Sequence, residues 1–225
     1  MEPLTPSLCI AALWLAFTAT HLGLASVRVE PGLRARLGDG GFLGLYSFVA
    51  ALILVPLVWI YFGNRHTGGW LWFVPVTPAL RALLYLAMGA ALLLIASGLL
   101  VPSPASLAGT AGAEVRGALR ITRHPLVLGI ALLAALHLIP NGAAADLAFF
   151  GGAALFSACG AWHQDQRKLA YAAPGFAAFH AATPFWPSAR GALRGLRELP
   201  ARVWLASAAA FLAIRWLHGS LWPHP

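Results

Sequence analysis

The residues of this sequence best able to do chemistry are its eight histidines. Four of them lie in or at the ends of long apolar runs. His21 sits inside the first run, His124 opens the fourth, His137 follows thirteen residues later in that same run, and His163 closes the fifth. An ionisable side chain held at membrane depth is costly and is usually kept for function. The bland alternative is a neutral imidazole bonded to a neighbouring helix, or an end residue that snorkels to the interface. That alternative suits His124 and His163, which lie at ends, better than His21 and His137, which have apolar flanks. His66, His180 and His224 fall in loops and read as solvated side chains, and His218 reads as an interfacial anchor.

Neutral imidazole is the commonest metal ligand. A zinc site asks for further Cys, Asp or Glu close by, and the apolar runs hold almost none. Asp146 lies near an outer end and Asp165 just past the fifth run, and there is no HxxxH or HxxEH pair. A two-histidine, one-carboxylate iron site is therefore poorly supplied. Haem needs only one or two axial histidines, because the macrocycle brings four nitrogens of its own. Two lone histidines on different helices of an apolar bundle suit it best. His124 and His137 cannot both face one metal, since thirteen residues at 100° each leave them about 220° apart. The propionates of a haem would need basic partners. Arg116, Arg120 and Arg123 fall within roughly 60° of one another at helical phase and offer a clamp, with lipid headgroups as the competing occupant.

Those side chains must be positioned by membrane helices. The chain has 225 residues, of which 60% are hydrophobic and 10% charged, with a mean hydropathy of +0.75. A soluble domain carries about 25% charged residues, so a soluble enzyme, a disordered tail and a disulfide scaffold are all excluded. The expected fold is all-α: a single polytopic bundle of about six transmembrane helices at about 20 residues each. The apolar runs are Leu4–Val27, Phe42–Phe62, Ala79–Val101, Pro125–Pro140, Ala143–Trp162 and Val203–Trp216, the fourth and sixth being short. The first lacks a charged leader and a cleavage site, so it reads as a retained helix rather than a signal peptide. Pro56 should kink the second or leave it locally unpaired.

The net charge is +8, from 15 Lys+Arg against 7 Asp+Glu. Because the bases lie in loops between apolar runs, the expected partner is an anionic lipid bilayer and not nucleic acid. Alternate loops carry three, three and six bases, against Arg65, Arg81 and Arg215 on the other side. By the positive-inside rule the basic loops are cytoplasmic and both termini outside, in an inner (plasma) membrane. Residues 164–200 form the longest polar stretch and read as a partly helical linker on the lipid surface. Cys9 and Cys159 lie in apolar runs and should stay unpaired; nothing sets an oligomeric state.

Several segments carry a resemblance: HLGLASVR (21–28), GLYSFVA (44–50), RITRHPLVLG (120–129), LHLIPNG (136–142) and GGAALFSACGAW (151–162), continuing through GAWHQDQRKL (160–169) and the GFAAF and TPFWP stretches. With these the chain resembles the NnrU family of membrane proteins and, within it, the 15-cis-zeta-carotene isomerases. The resemblance implies a haem b enzyme that isomerises the 15-cis double bond of 9,15,9′-tricis-zeta-carotene, an apolar polyene. It places the axial, catalytic histidines at His21 and His137; beside them Arg120, Arg123, His124 and His163 are this reading's further candidates for holding the cofactor. The isomerases carry a cysteine three residues before the second histidine, as an alternative ligand; Ala134 stands there in this chain. On straight helices His21 and His137 differ in depth by roughly 10 Å. A tilted haem or a bent helix is thus required, or else His163 or His124 replaces one ligand. Two other readings stand beside this one. A non-isomerase haem protein linked to nitrogen-oxide metabolism would share the histidines. A methyltransferase of the isoprenylcysteine or phospholipid type would use the Arg-His-Pro run for S-adenosylmethionine.

Overall fold

A computed structural model describes residues 5–106 and 114–221; His224 lies outside them. In chain order the helices are α1 (Thr5–Leu24), α2 (Glu30–Gly63), α3 (Pro78–Leu100), α4 (Ala118–Ile121), α5 (Pro125–Leu138) and α6 (Ala144–Asp146). A π-helical turn (Leu147–Gly151) then leads into α7 (Gly152–Ala170), followed by α8 (Phe176–Ala182), α9 (Ala189–Arg197) and α10 (Ala201–Leu221). Each of the six apolar runs is helical, and the class is the expected helical membrane bundle. Among the described residues four helices are long and apolar enough to cross a membrane: α1, α2, α3 and the continuous stretch Ala144–Ala170. α5 is apolar but has only 14 residues. α10 has 21 and is longer than its apolar run, because Arg202 and His218 are taken into the helix.

The chain divides into two compact units, Met1–Val76 with Ala134–Tyr171, and Thr77–Leu133 with Ala172–Pro225. In the first, α1 packs on α2 and α7 around Ile10, Trp14, Phe17, Leu57, Tyr61 and Ala145. The outward faces are apolar as well: Phe48 is 65% exposed and Trp59 80%, the pattern of a helix whose solvent is lipid. α2 departs from expectation at its start. The apolar run begins at Phe42, yet the helix begins twelve residues earlier at Glu30, with proline in its first turn. Proline suits that position because its missing N–H would be unpaired anyway. Arg34 then sits one turn beyond Glu30 and donates Nε to Oε1 at 2.8 Å. Arg34 and Arg36 are thus helical rather than loop residues. The departure from helical dihedral angles within α2 falls at Gly38 (φ +71°) and not at Pro56.

In the second unit α3 packs on α5, and Leu93 and Ala96 of α3 cluster with Val203 of α10. α4 lies against α9. Arg120 Nε donates to both carboxylate oxygens of Glu198, at 2.8 and 2.7 Å, and the Gly117 amide donates to Oε2 at 2.8 Å. These donors, Arg120 first, hold the Glu198 carboxyl below its ordinary range. A depressed carboxylate stabilises above its unfolded value, and the contribution is lost as pH falls through the folded one. The protection factor of the Gly117 amide, its exchange corrected for the intrinsic effect of pH, should therefore be high and constant near neutrality and fall only below the usual carboxylate range. In Glu198→Gln that step should vanish, and a step that persists there belongs to another acid.

Candidate functional site

α1 carries His21 in its last turn. The ring stacks on Phe17 one turn earlier (4.9 Å between centroids), meets Tyr46 of α2 at 4.3 Å and Phe156 of α7 at 5.4 Å. Its Nδ1 is buried with no hydrogen-bond partner. Such an orphaned polar atom costs about 1–3 kcal/mol, so its retention calls for an explanation. Two turns along α7 from Phe156 stands His163, within electrostatic reach of His21. One turn further Arg167 donates Nη1 to the Ala25 carbonyl (3.3 Å) and lies 3.4 Å from Glu30 Oε2. His21, His163 and the Arg167–Glu30 contact thus gather at one end of this unit.

His137 lies in the last turn of α5, in the same unit. Its ring stacks on Phe150 at 4.7 Å and 18°, and its carbonyl accepts from Asn141 Nδ2 at 2.7 Å. Phe150 belongs to the π turn Leu147–Gly151, a local widening frequent at functional sites. There Phe149 stacks on Tyr61 at 3.9 Å and 6°. From His137 an aromatic column runs through Phe150, Phe149 (5.2 Å), Trp14 (6.4 Å) and Phe17 (5.8 Å) to His21. His21 and His137 touch the last spanning helix at Phe156 and Phe150, six residues or about 9 Å of rise apart. The depth offset between the two histidines is therefore present in the folded chain.

Arg120, Arg123 and His124 belong to the second unit. The helical stripe expected of Arg116, Arg120 and Arg123 does not form. α4 is four residues long, Arg116 precedes it, and Thr122 after it is extended (φ −158°, ψ 148°). Arg120 is held by Glu198. Arg123 is 7% exposed and His124 3%. Arg123 donates Nη1 to the Thr183 carbonyl at 2.8 Å and Nη2 to His180 Nε2 at 3.0 Å, with its guanidinium over the Phe185 ring. Thr122 Oγ1 donates to the Phe185 carbonyl and the Arg123 amide to that of Pro184, while His124 packs edge-on against Phe185 at 5.4 Å. The Thr-Arg-His-Pro run and the TPFWP stretch thus grip each other. His180, read as a solvated loop residue, is part of that grip.

One arrangement escaped the sequence reading. Asp146 is fully buried. It accepts from the Tyr61 hydroxyl at 3.0 Å and meets His66 Nδ1 at 2.8 Å, with His66 in a left-handed conformation (φ 58°). His66 is thus a tethered side chain, not a simply solvated one. The signal was available: a carboxylate inside an apolar helix must find a partner, and Tyr61, Arg65 and His66 are the polar candidates at the facing end of α2. His218 bonds within its own helix, Nδ1 to the Ile214 carbonyl at 3.2 Å. Cys9 and Cys159 are free and exposed.

The chain is 26% identical over 195 residues to the chloroplastic 15-cis-zeta-carotene isomerase of Zea mays, covering 84% of this chain and 51% of the relative. It is 24% identical over 170 residues to the Arabidopsis thaliana protein of the same name, covering 72% and 44%. The chain therefore spans about half the length of these curated relatives. No solved structure matches it. The profile of the NnrU protein family matches residues 9–224, a stretch that holds both the His21 cage and the aromatic column, and the chain belongs to that family.

Proposed function

We propose that this protein is a haem b-dependent isomerase acting on the 15-cis double bond of 9,15,9′-tricis-zeta-carotene within an inner (plasma) membrane. Its basic loops face the cytoplasm and both termini lie outside. The observation that carries this reading is His21, a half-buried imidazole whose Nδ1 is shut away from solvent without a protein partner and whose ring is caged by Phe17, Tyr46 and Phe156. A haem asks an imidazole for one ring nitrogen and needs no carboxylate or thiolate beside it. His21 and His137 would hold the iron if the rings of the column between them part; with the column closed, His163, within electrostatic reach of His21, would replace His137. Ferrous iron, when bound, supplies electron density that lowers the order of a conjugated double bond and permits rotation without net redox change. The chain does the rest. Trp14, Phe17, Phe149, Phe150 and Phe156 form a wall of rings that excludes water and holds a polyene by burial, at about 25 cal/mol per Å². Ala134 is 6% exposed and one turn before His137, so no thiolate is available there to compete for the iron. The likeness to two proteins named as 15-cis-zeta-carotene isomerases supports the substrate class.

The test is an absorption spectrum of the detergent-purified protein, joined to a dark assay with the tricis pigment. A haem Soret band with formation of the 9,9′-dicis product is the expected result. A haem band without conversion favours a non-catalytic haem protein of the same family. Absence of haem together with binding of S-adenosylmethionine would leave only the methyltransferase reading.

A further inference from the structure

Helix α9 has two unlike faces. The inner face is built for close approach: a Cβ at Gly191 would collide with the Arg120 carbonyl oxygen, and one at Gly195 would come within 2.5 Å of the Gly117 carbonyl oxygen. Glu198, just past the helix, is committed to Arg120. The outer face carries Arg190, Arg194 and Arg197, all exposed, with Leu193 between them at 65% exposure and Trp186 just ahead at 63%. Residues 190, 193, 194 and 197 fall on one side at 100° per residue. Among the described residues none of these three guanidinium groups has an ion pair or hydrogen bond, and no acid shares their face. The height of the helix is also set. Leu196 and Leu199 pack on the cluster of Leu93, Ala96 and Val203, and Leu93 and Ala96 lie in the last turns of α3, a membrane-length helix ending at Leu100. α9 therefore lies beside the end of a span, where headgroups begin.

We propose that this face of α9, with Trp186 beside it, docks on the anionic phospholipid headgroups of the bilayer that the chain crosses. Unpaired arginines supply the charge complementarity, and Leu193 and Trp186 supply the apolar and interfacial contacts such a helix uses. The bilayer is favoured over a protein partner because α3, α10 and α4 of this chain already hold α9 beside the end of a span. Glu198 keeps the nearest negative charge neutralised by Arg120, so anionic lipid meets no repulsion.

The experiment uses the full chain in nanodiscs of phosphatidylcholine alone, or with about 30% phosphatidylglycerol, a surface whose negative potential draws polybasic segments. Hydrogen exchange across residues 186–197 is the readout. Exchange should slow roughly tenfold with the anionic lipid, and the gain should disappear at high salt, which screens surface charge. The gain should also be lost in the triple variant Arg190→Gln, Arg194→Gln, Arg197→Gln, while exchange at the Gly117 amide, which donates to Glu198, stays as in the parent. Equal exchange in both lipids overturns the proposal, as does a triple variant that still responds. Inorganic phosphate added to phosphatidylcholine discs separates the two anion sources: no response is expected, and full protection by phosphate would make this a small-anion site instead.

Discussion

His21→Phe should fold at least as well as the parent and bind no haem. Phenylalanine keeps a flat ring between Phe17, Tyr46 and Phe156, so the cage stays filled. It also removes the buried nitrogen that finds no protein partner. Relief of such an orphan is worth about 1–3 kcal/mol, so the thermal midpoint of the cofactor-free protein should hold or rise. Haem absorbance should nonetheless be lost, with isomerisation falling to background. His21→Ala would lose both, because deleting a ring from a packed site leaves a cavity at a cost of about 3 kcal/mol or more. The phenylalanine variant therefore separates a ligand from a packing residue. His137→Phe should likewise lower haem absorbance, since its ring could still stack on Phe150. His66→Phe should leave absorbance intact, because His66 answers to Asp146. Full haem retention in both His21→Phe and His137→Phe would overturn the ligand assignment.

How far such a site could be read in advance depended on the range of the interactions. His21 and His137 stood out because their own flanks are apolar, which is a local property. The helices they ride on were legible for the same reason. The start of α2 was not, since Glu30, Arg34 and Arg36 look like a charged loop until the one-turn spacing of Glu30 and Arg34 is seen to close an ion pair. Pro56 drew attention as the break, yet the break came at Gly38, where the absence of a Cβ makes a positive φ inexpensive. α4 was misread by assuming helix where Thr122 is extended, and the basic stripe dissolved with it. The partners of the polar residues lay furthest out of reach. His66 and Asp146 are 80 residues apart in sequence, and Arg167 and Ala25 are 142 apart. No periodicity encodes such pairings; only the rule that a buried charge must be met somewhere points to them. The cage around His21 is of the same kind, assembled from three helices whose individual patterns say only that they are apolar.

Gly98→Ala should be strongly damaging to the second unit. In lipid, helices gain little from hydrophobic burial against each other, and association rests on close backbone approach at small residues. α3 and α5 use that device. A Cβ at Gly98 would come within 2.5 Å of Leu126 N, 2.6 Å of its Cβ and 2.8 Å of its Cα. Two of those three atoms are backbone, so trimming Leu126 cannot relieve the collision and α5 must move. Gly129, one turn along α5, meets α3 in the same way, against Ile95 and the Ala91 carbonyl oxygen. Overpacking of this kind costs about 1–3 kcal/mol. For a chain of this size that corresponds to a loss of roughly 2–10 °C in thermal midpoint. Gly89 supplies the control on the same helix. Nothing stands within 4 Å of its Cβ position, so Gly89→Ala should be neutral or stabilising by up to about 1 kcal/mol from helix propensity alone. Thermal unfolding of the two variants in one detergent, followed by circular dichroism, checks the pair. Leu126→Ala combined with Gly98→Ala should not restore the midpoint. Restoration would mean that the contact is made by a side chain able to yield, and that backbone proximity does not set the distance between α3 and α5.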